Sequence, residues 1–209
     1  MYVGVTIIPK RPIPFTYWVT PGAILAGEYP GKQITLNPKR TLRTLFDTVL
    51  AFLFLGTSGN KSTMHKIGSL IDAGITLFLD LTEDGELPSY QKMLETEACK
   101  SGRKVSYQRI PVKDRNIATK EQLVYALTLI NDVVTNGGVV YIHCMRGIGC
   151  TGLVVGTYLV QIGMTVQEAL DEITRLRKGL LSSWWRSPET EGQRRMVLEW
   201  KDDYTKTIV

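Results

Sequence analysis

Three cysteines and two histidines are all that 209 residues supply. That scarcity excludes a disulfide-stapled scaffold and leaves no spaced Cys/His set for a structural metal. The thiols, Cys99, Cys144 and Cys150, lack a paired-framework spacing and suit a reducing compartment, so a cytoplasmic protein without metal or other cofactor is expected. Long apolar runs are missing too. The most apolar segment, 49–55, is far too short to span a bilayer. Residues 1–14 carry prolines and a lysine instead of a continuous apolar stretch, so neither a signal peptide nor a membrane span is expected. There is no heptad repeat and no low-complexity tract. Charge is nearly balanced: 25 Lys and Arg against 20 Asp and Glu give +5 and a pI near 9.1. Such a balance mildly favours an anionic ligand and gives no ground to expect nucleic-acid binding.

What remains is ordinary for a globular chain, with 44% hydrophobic and 22% charged residues, enough for a single domain over 1–209. The informative stretch is 139–152. Val139 to Ile142 is an apolar run rich in β-branched residues that suits a buried strand. Leu153, Val154, Val155, Tyr158, Leu159 and Ile162 follow at the spacing of a buried helix ending at Gly163. Between them Gly147 and Gly149 let successive backbone N–H groups turn toward one point. The helix aims its positive N-terminal end at the same point. The pattern implies an anion cradle with Cys144 on its floor, its thiol acidified by those donors. A buried structural cysteine before a glycine turn is the alternative.

Elsewhere the pattern alternates strands and helices, which predicts an α/β fold with a mainly parallel central sheet flanked by helices. Residues 16–27 suit a hairpin turning at Pro21-Gly22. Helical periodicity covers 38–55, and residues 56–62 read as a loop capping a helix with Met64, Ile67, Leu70 and Ile71. That loop fails the nucleotide P-loop pattern, since Asn60 stands where glycine must precede the lysine. His65 reads as a lone surface histidine, and Cys99 as structural. Strands are predicted at 75–79 and 105–112, and a helix with Pro88 in its first turn. Thr119/Gln122 and Thr165/Glu168 form two capping boxes. Leu123, Leu127, Ile130 and Val134 line the first resulting helix, and Val166, Leu170, Ile173 and Leu176 the second. Trp184 and Trp185 either line a pocket or pin their loop to the core. Ser187-Pro188 opens the last helix, which carries Gln193.

The loop resembles the His-Cys-x-x-Gly-x-x-Arg-Ser/Thr-Gly signature of cysteine-dependent tyrosine and dual-specificity protein phosphatases, with His143, Cys144, Gly147, Thr151 and Gly152 in register. The arginine position, six residues after the cysteine, holds Cys150. The resemblance implies a phosphatase-like loop in which residues Met145, Arg146, Gly147, Ile148, Gly149 and Cys150 surround a phosphate, with the Arg146 side chain outside the cradle. It implies Cys144 as nucleophile through a cysteinyl-phosphate, Asp114 as general acid, Thr151 as donor to the departing sulfur, Gln193 as the orienter of water and His143 as a tuner of the loop. The substrate would be a phosphorylated protein, phosphotyrosine or of dual specificity. Losing the guanidinium fork should cost about 10³-fold or more in rate. A weakened phosphatase is one expectation; a pseudophosphatase that binds phosphorylated partners without turnover is the other. A sulfurtransferase also uses a cysteine in an anion loop, but Asp114 and Gln193 argue against it. Two thiols in one small loop suggest a reversible Cys144–Cys150 disulfide.

Overall fold

The computed structural model describes residues 9–31, 59–113 and 116–204. The helix expected over 38–55 and the acid candidate Asp114 lie outside the described residues.

The chain runs β1 (Thr16–Thr20), β2 (Ile24–Glu28), α1 (Gly59–Asp72), β3 (Leu77–Asp80), α2 (Gln91–Ser101), β4 (Ser106–Arg109), α3 (Lys120–Thr135), β5 (Val140–Cys144), α4 (Cys150–Gln161), α5 (Val166–Leu176) and α6 (Glu191–Tyr204). The five strands make one sheet in the order β1-β2-β5-β3-β4. Only β1 is antiparallel to its neighbour; the other pairings are parallel, as the sequence pattern predicts. The central strand β5 lies between β2 and β3, and its carboxyl end is where open α/β sheets leave a crevice for ligand.

Period-two alternation divides the core between the faces of the sheet. Val140, Ile142 and Cys144 of β5 pack with Leu123, Leu127, Ile130, Leu153, Ile173 and Val197 from the four later helices. The intervening Tyr141 faces the opposite layer, with Phe78, Tyr90, Ile67, Leu70 and Leu94. In α4 every residue from Cys150 to Val160 is buried, so this helix is packed all round. Both capping boxes are present, each with the reciprocal side-chain and backbone bonds that the residue types imply.

Four expectations are corrected. Residues 59–62 are the first turn of α1, not a loop. Polar, turn-type residues are tolerated there because the first N–H groups of a helix have no intrahelical partner. Pro88 precedes α2, which starts only at Gln91 after the wholly buried Tyr90. Burying that ring fixes where the helix begins. Likewise α6 starts at Glu191, and Thr190 Oγ1 accepts the Gln193 N–H at 3.2 Å as its cap. Ser187 is held elsewhere, donating to Ile148 O at 2.7 Å. Finally, Cys99 is exposed and is no core residue.

Candidate active site

The cradle forms where β5 ends and α4 begins. Its carbonyls are engaged from outside: Met145 O accepts from Tyr29 N at 3.4 Å, Ile148 O from Gly152 N at 3.2 Å and Ser187 Oγ at 2.7 Å, and Gly149 O from Leu153 N at 2.9 Å. With these carbonyls turned outward, the loop can present N–H groups inward. Gly147 makes the turn with φ +66°, and a Cβ there would run into the Gly27 carbonyl of β2. Only glycine satisfies both demands.

Cys144 and Cys150 are both buried, and neither is in a disulfide. The Cys144 thiol is held well below its ordinary range, first by hydrogen bonding from the Cys150 side chain. Burial opposes this, while the Thr151 hydroxyl and the N–H groups of Thr151 and Arg146 add to it. Thr151 Oγ1 has no oxygen or nitrogen partner, leaving its proton for the sulfur. Cys150 Sγ lies 4.0 Å from Val112 O and 3.9 Å from Gln193 Nε2. Alkylation of Cys144 by iodoacetamide should therefore have its pH midpoint well below that of a free thiol. In Cys150→Ala, which removes the leading donor, the midpoint should move upward. A parent profile that still climbs like a free thiol would contradict that acidification. Mild peroxide should also link the two cysteines, a bond visible by mass spectrometry and absent after reduction. Oxidation stopping at Cys144 sulfenic acid would show that the loop forbids the link.

Gln193 is fully buried and fully occupied. Its Oε1 accepts from the Glu189 and Thr190 N–H groups at 3.1 Å each, and Nε2 donates to Asn116 O at 2.9 Å. One amide thus ties the start of α6 to the segment that leaves Asp114. The preceding side of that segment is tied as well, since Val112 N donates to Leu81 O at 3.1 Å. Arg146 turns away from the cradle, as expected: its Nη2 reaches both Glu189 oxygens at 2.9 and 2.8 Å, and its guanidinium stacks 4.5 Å over Trp185. Trp185 is thus a pinning residue, while Trp184 points to solvent. Gly149 and Ile148 complete the loop beside Gln193 and Ser187.

Behind the cradle is a buried network that sequence reading missed. His143, on the face of β5 opposite Cys144, has Nε2 2.6 Å from Tyr90 Oη and Nδ1 3.8 Å from Asp80. Burial keeps its imidazole below the ordinary range. Asp80 in turn accepts from Tyr107 at 2.6 Å, Thr82 Oγ1 at 2.7 Å and Arg109 at 3.1 Å. Burial works against the Asp80 charge, but the charge His143 carries when protonated and the bonds from Tyr107 and Thr82 win, so its pKa lies below the ordinary value. One signal was readable: an aspartate ending an apolar strand. Arg177, also missed, is buried and bonds Trp185 O at 2.6 Å. Among the described residues no group of three or more His, Cys, Asp or Glu could hold a metal, and no helix is long and apolar enough to cross a membrane.

Residues 56–164 match the family model described as the DSP-PTPase phosphatase of polymorphic toxin systems. Mouse dual specificity protein phosphatase 2 is 24% identical over 135 residues, which are 64% of this chain and only 38% of the mouse protein. The fold matches Tk-PTP in its active form, at TM-score 0.62 and 22% identity, over 90% of this chain and 97% of that one. Kinase associated phosphatase, with its catalytic cysteine replaced by serine, matches at TM-score 0.65 and 15% identity, over 91% and 94% of the two chains. The human tyrosine phosphatase-like serine/threonine/tyrosine-interacting protein matches at TM-score 0.60 and 15% identity, over 92% and 99%.

Proposed function

Because the chain belongs to the DSP-PTPase phosphatase family, we propose that it hydrolyses phosphate monoesters on phosphorylated proteins through a cysteinyl-phosphate on Cys144. The observation that carries this reading is the Cys144 thiol, acidified at the floor of a loop that ends in a helix N-terminus. Phosphate oxygens would rest on the N–H groups of residues 145–150 while the sulfur attacks phosphorus in line. Asp114 would protonate the leaving oxygen and then take a proton from water. Thr151 would donate to Cys144 as the sulfur departs. The Gln193 amide, spent on Asn116 and the 189–190 turn, would act by holding the acid-bearing segment and would reach water only by exchanging one of those partners. His143 would stay neutral and fix the loop from behind.

The turnover proposed is slow, because Cys150 stands where the resemblance places the guanidinium. The same residue supports a second reading, a module that binds phosphorylated partners without turnover. Phosphotyrosine or dual specificity suits a loop whose variable positions, Met145, Arg146 and Ile148, carry no lysine. Steady-state hydrolysis of an aryl phosphate by the parent and by Cys144→Ser separates the readings. Slow release that Cys144→Ser abolishes supports the enzyme. Phosphopeptide binding without release supports the module.

A further inference from the structure

The loop after α5 is held rigidly from within. The buried Arg177 donates to Trp185 O at 2.6 Å, Ser182 O at 2.9 Å and Ser182 Oγ at 3.3 Å. Consecutive turns close from Ser183 N to Leu180 O at 3.0 Å and from Trp185 N to Ser182 O at 3.1 Å. Arg11 secures the start of the loop by donating to Lys178 O at 3.1 Å. Yet this fixed loop holds Leu181 and Trp184 in solvent, 54% and 76% exposed. They lie three positions apart in two overlapping turns. A well-anchored loop that keeps two large apolar side chains in water marks a contact surface.

The loop is joined to the cradle through the Arg146 side chain. The Trp184 ring packs edge-on against Trp185 at 4.8 Å, and the Trp185 ring carries the Arg146 guanidinium at 4.5 Å. The Trp184 ring therefore stands within about 10 Å of the Arg146 guanidinium on the outer side of the loop, the reach of two or three extended residues from that rim. Exposed Lys178 and Arg186 flank it and favour an acidic, phosphorylated segment over a basic one. We propose that Leu181 and Trp184 form a subsite for an apolar side chain two or three residues from the phosphorylated residue of a polypeptide substrate. The proposal rests on the reading of the cradle as a phosphate site.

The test uses the full chain and two phosphotyrosyl peptides that differ only in carrying leucine or serine at the second and third positions on both sides of the phosphorylated residue. The parent should prefer the leucine peptide by about tenfold in kcat/KM, a modest apolar burial. The double variant Leu181→Ser, Trp184→Ala should lose that preference while hydrolysing a small aryl phosphate at the parent rate. Equal rates for both peptides in the parent, or a preference that survives in the variant, would overturn the subsite and leave the phosphatase reading intact. If the parent hydrolyses nothing, the phosphatase reading falls, and peptide affinity by fluorescence anisotropy decides the subsite by the same comparison. Sedimentation with phosphatidylserine vesicles that depends on Trp184, without any peptide preference, would make the lip a membrane contact and overturn the proposal.

Discussion

Cys150→Arg is expected to raise turnover of an aryl phosphate by about 10³-fold, equivalent to about 4 kcal/mol of transition-state stabilisation. The loop around the position is complete: the Gly147 turn, the acidified Cys144 and the Thr151 hydroxyl are in place. Arg146 cannot supply the missing charge, because its guanidinium is committed to Glu189 and Trp185. A guanidinium at 150 would grip two phosphate oxygens and follow their charge through the transfer. It would also remove the Cys150 bond to the Cys144 sulfur and replace that acidifying influence with a positive charge. The gain should fall mainly on kcat if the fork favours the transition state over the bound ester. The same change on a Cys144→Ser background should stay inactive. Tighter binding of phosphate analogues with no gain in hydrolysis would point to the acid-bearing segment as the defective part and favour the binding-module reading.

Asp80→Ala should destabilise the fold by about 2–4 kcal/mol, because it leaves Tyr107 and Thr82 without their acceptor and Arg109 with only the exposed Asp84 as a partner. Thermal unfolding should fall by about 10 °C for a domain of this size. The pH dependence has a definite sign. The folded-state pKa of Asp80 is depressed, so its contribution is fully present above the unfolded value, near 3.9, and is lost as pH falls through the folded value. The difference between parent and variant should therefore be constant at neutral pH and shrink only in acid. A variant as stable as the parent at pH 7 would show that the network contributes nothing to stability.

The contrast between these two sites explains what was legible in the sequence. The cradle is local: strand, glycine turn and helix lie within residues 140–161, and each has a signature in residue type. The two capping boxes and the apolar faces of α1, α3 and α5 are local in the same way. The Asp80 network is not local. Tyr107 and Arg109 come from the next parallel strand, and Tyr90 joins His143 across 53 positions. Its membership follows from strand order, which hydrophobic periodicity does not encode. Gln193 was legible as a candidate because of its neighbours in sequence, but its burial depends on Asn116, 77 positions away. The starts of α2 and α6 were misplaced for the same reason: proline marks a permitted start, whereas Tyr90 and Thr190 fix the actual one through burial and capping.

The central claim is that Cys144 carries the phosphoryl group. The direct measurement is rapid acid quench of the parent during incubation with an aryl phosphate, followed by mass spectrometry of the peptide containing Cys144. The account predicts a phosphoryl adduct on the Cys144 sulfur that appears with turnover and is absent in Cys144→Ser. Phosphate release that continues in Cys144→Ser at the parent rate, or turnover with no adduct on Cys144, would contradict it.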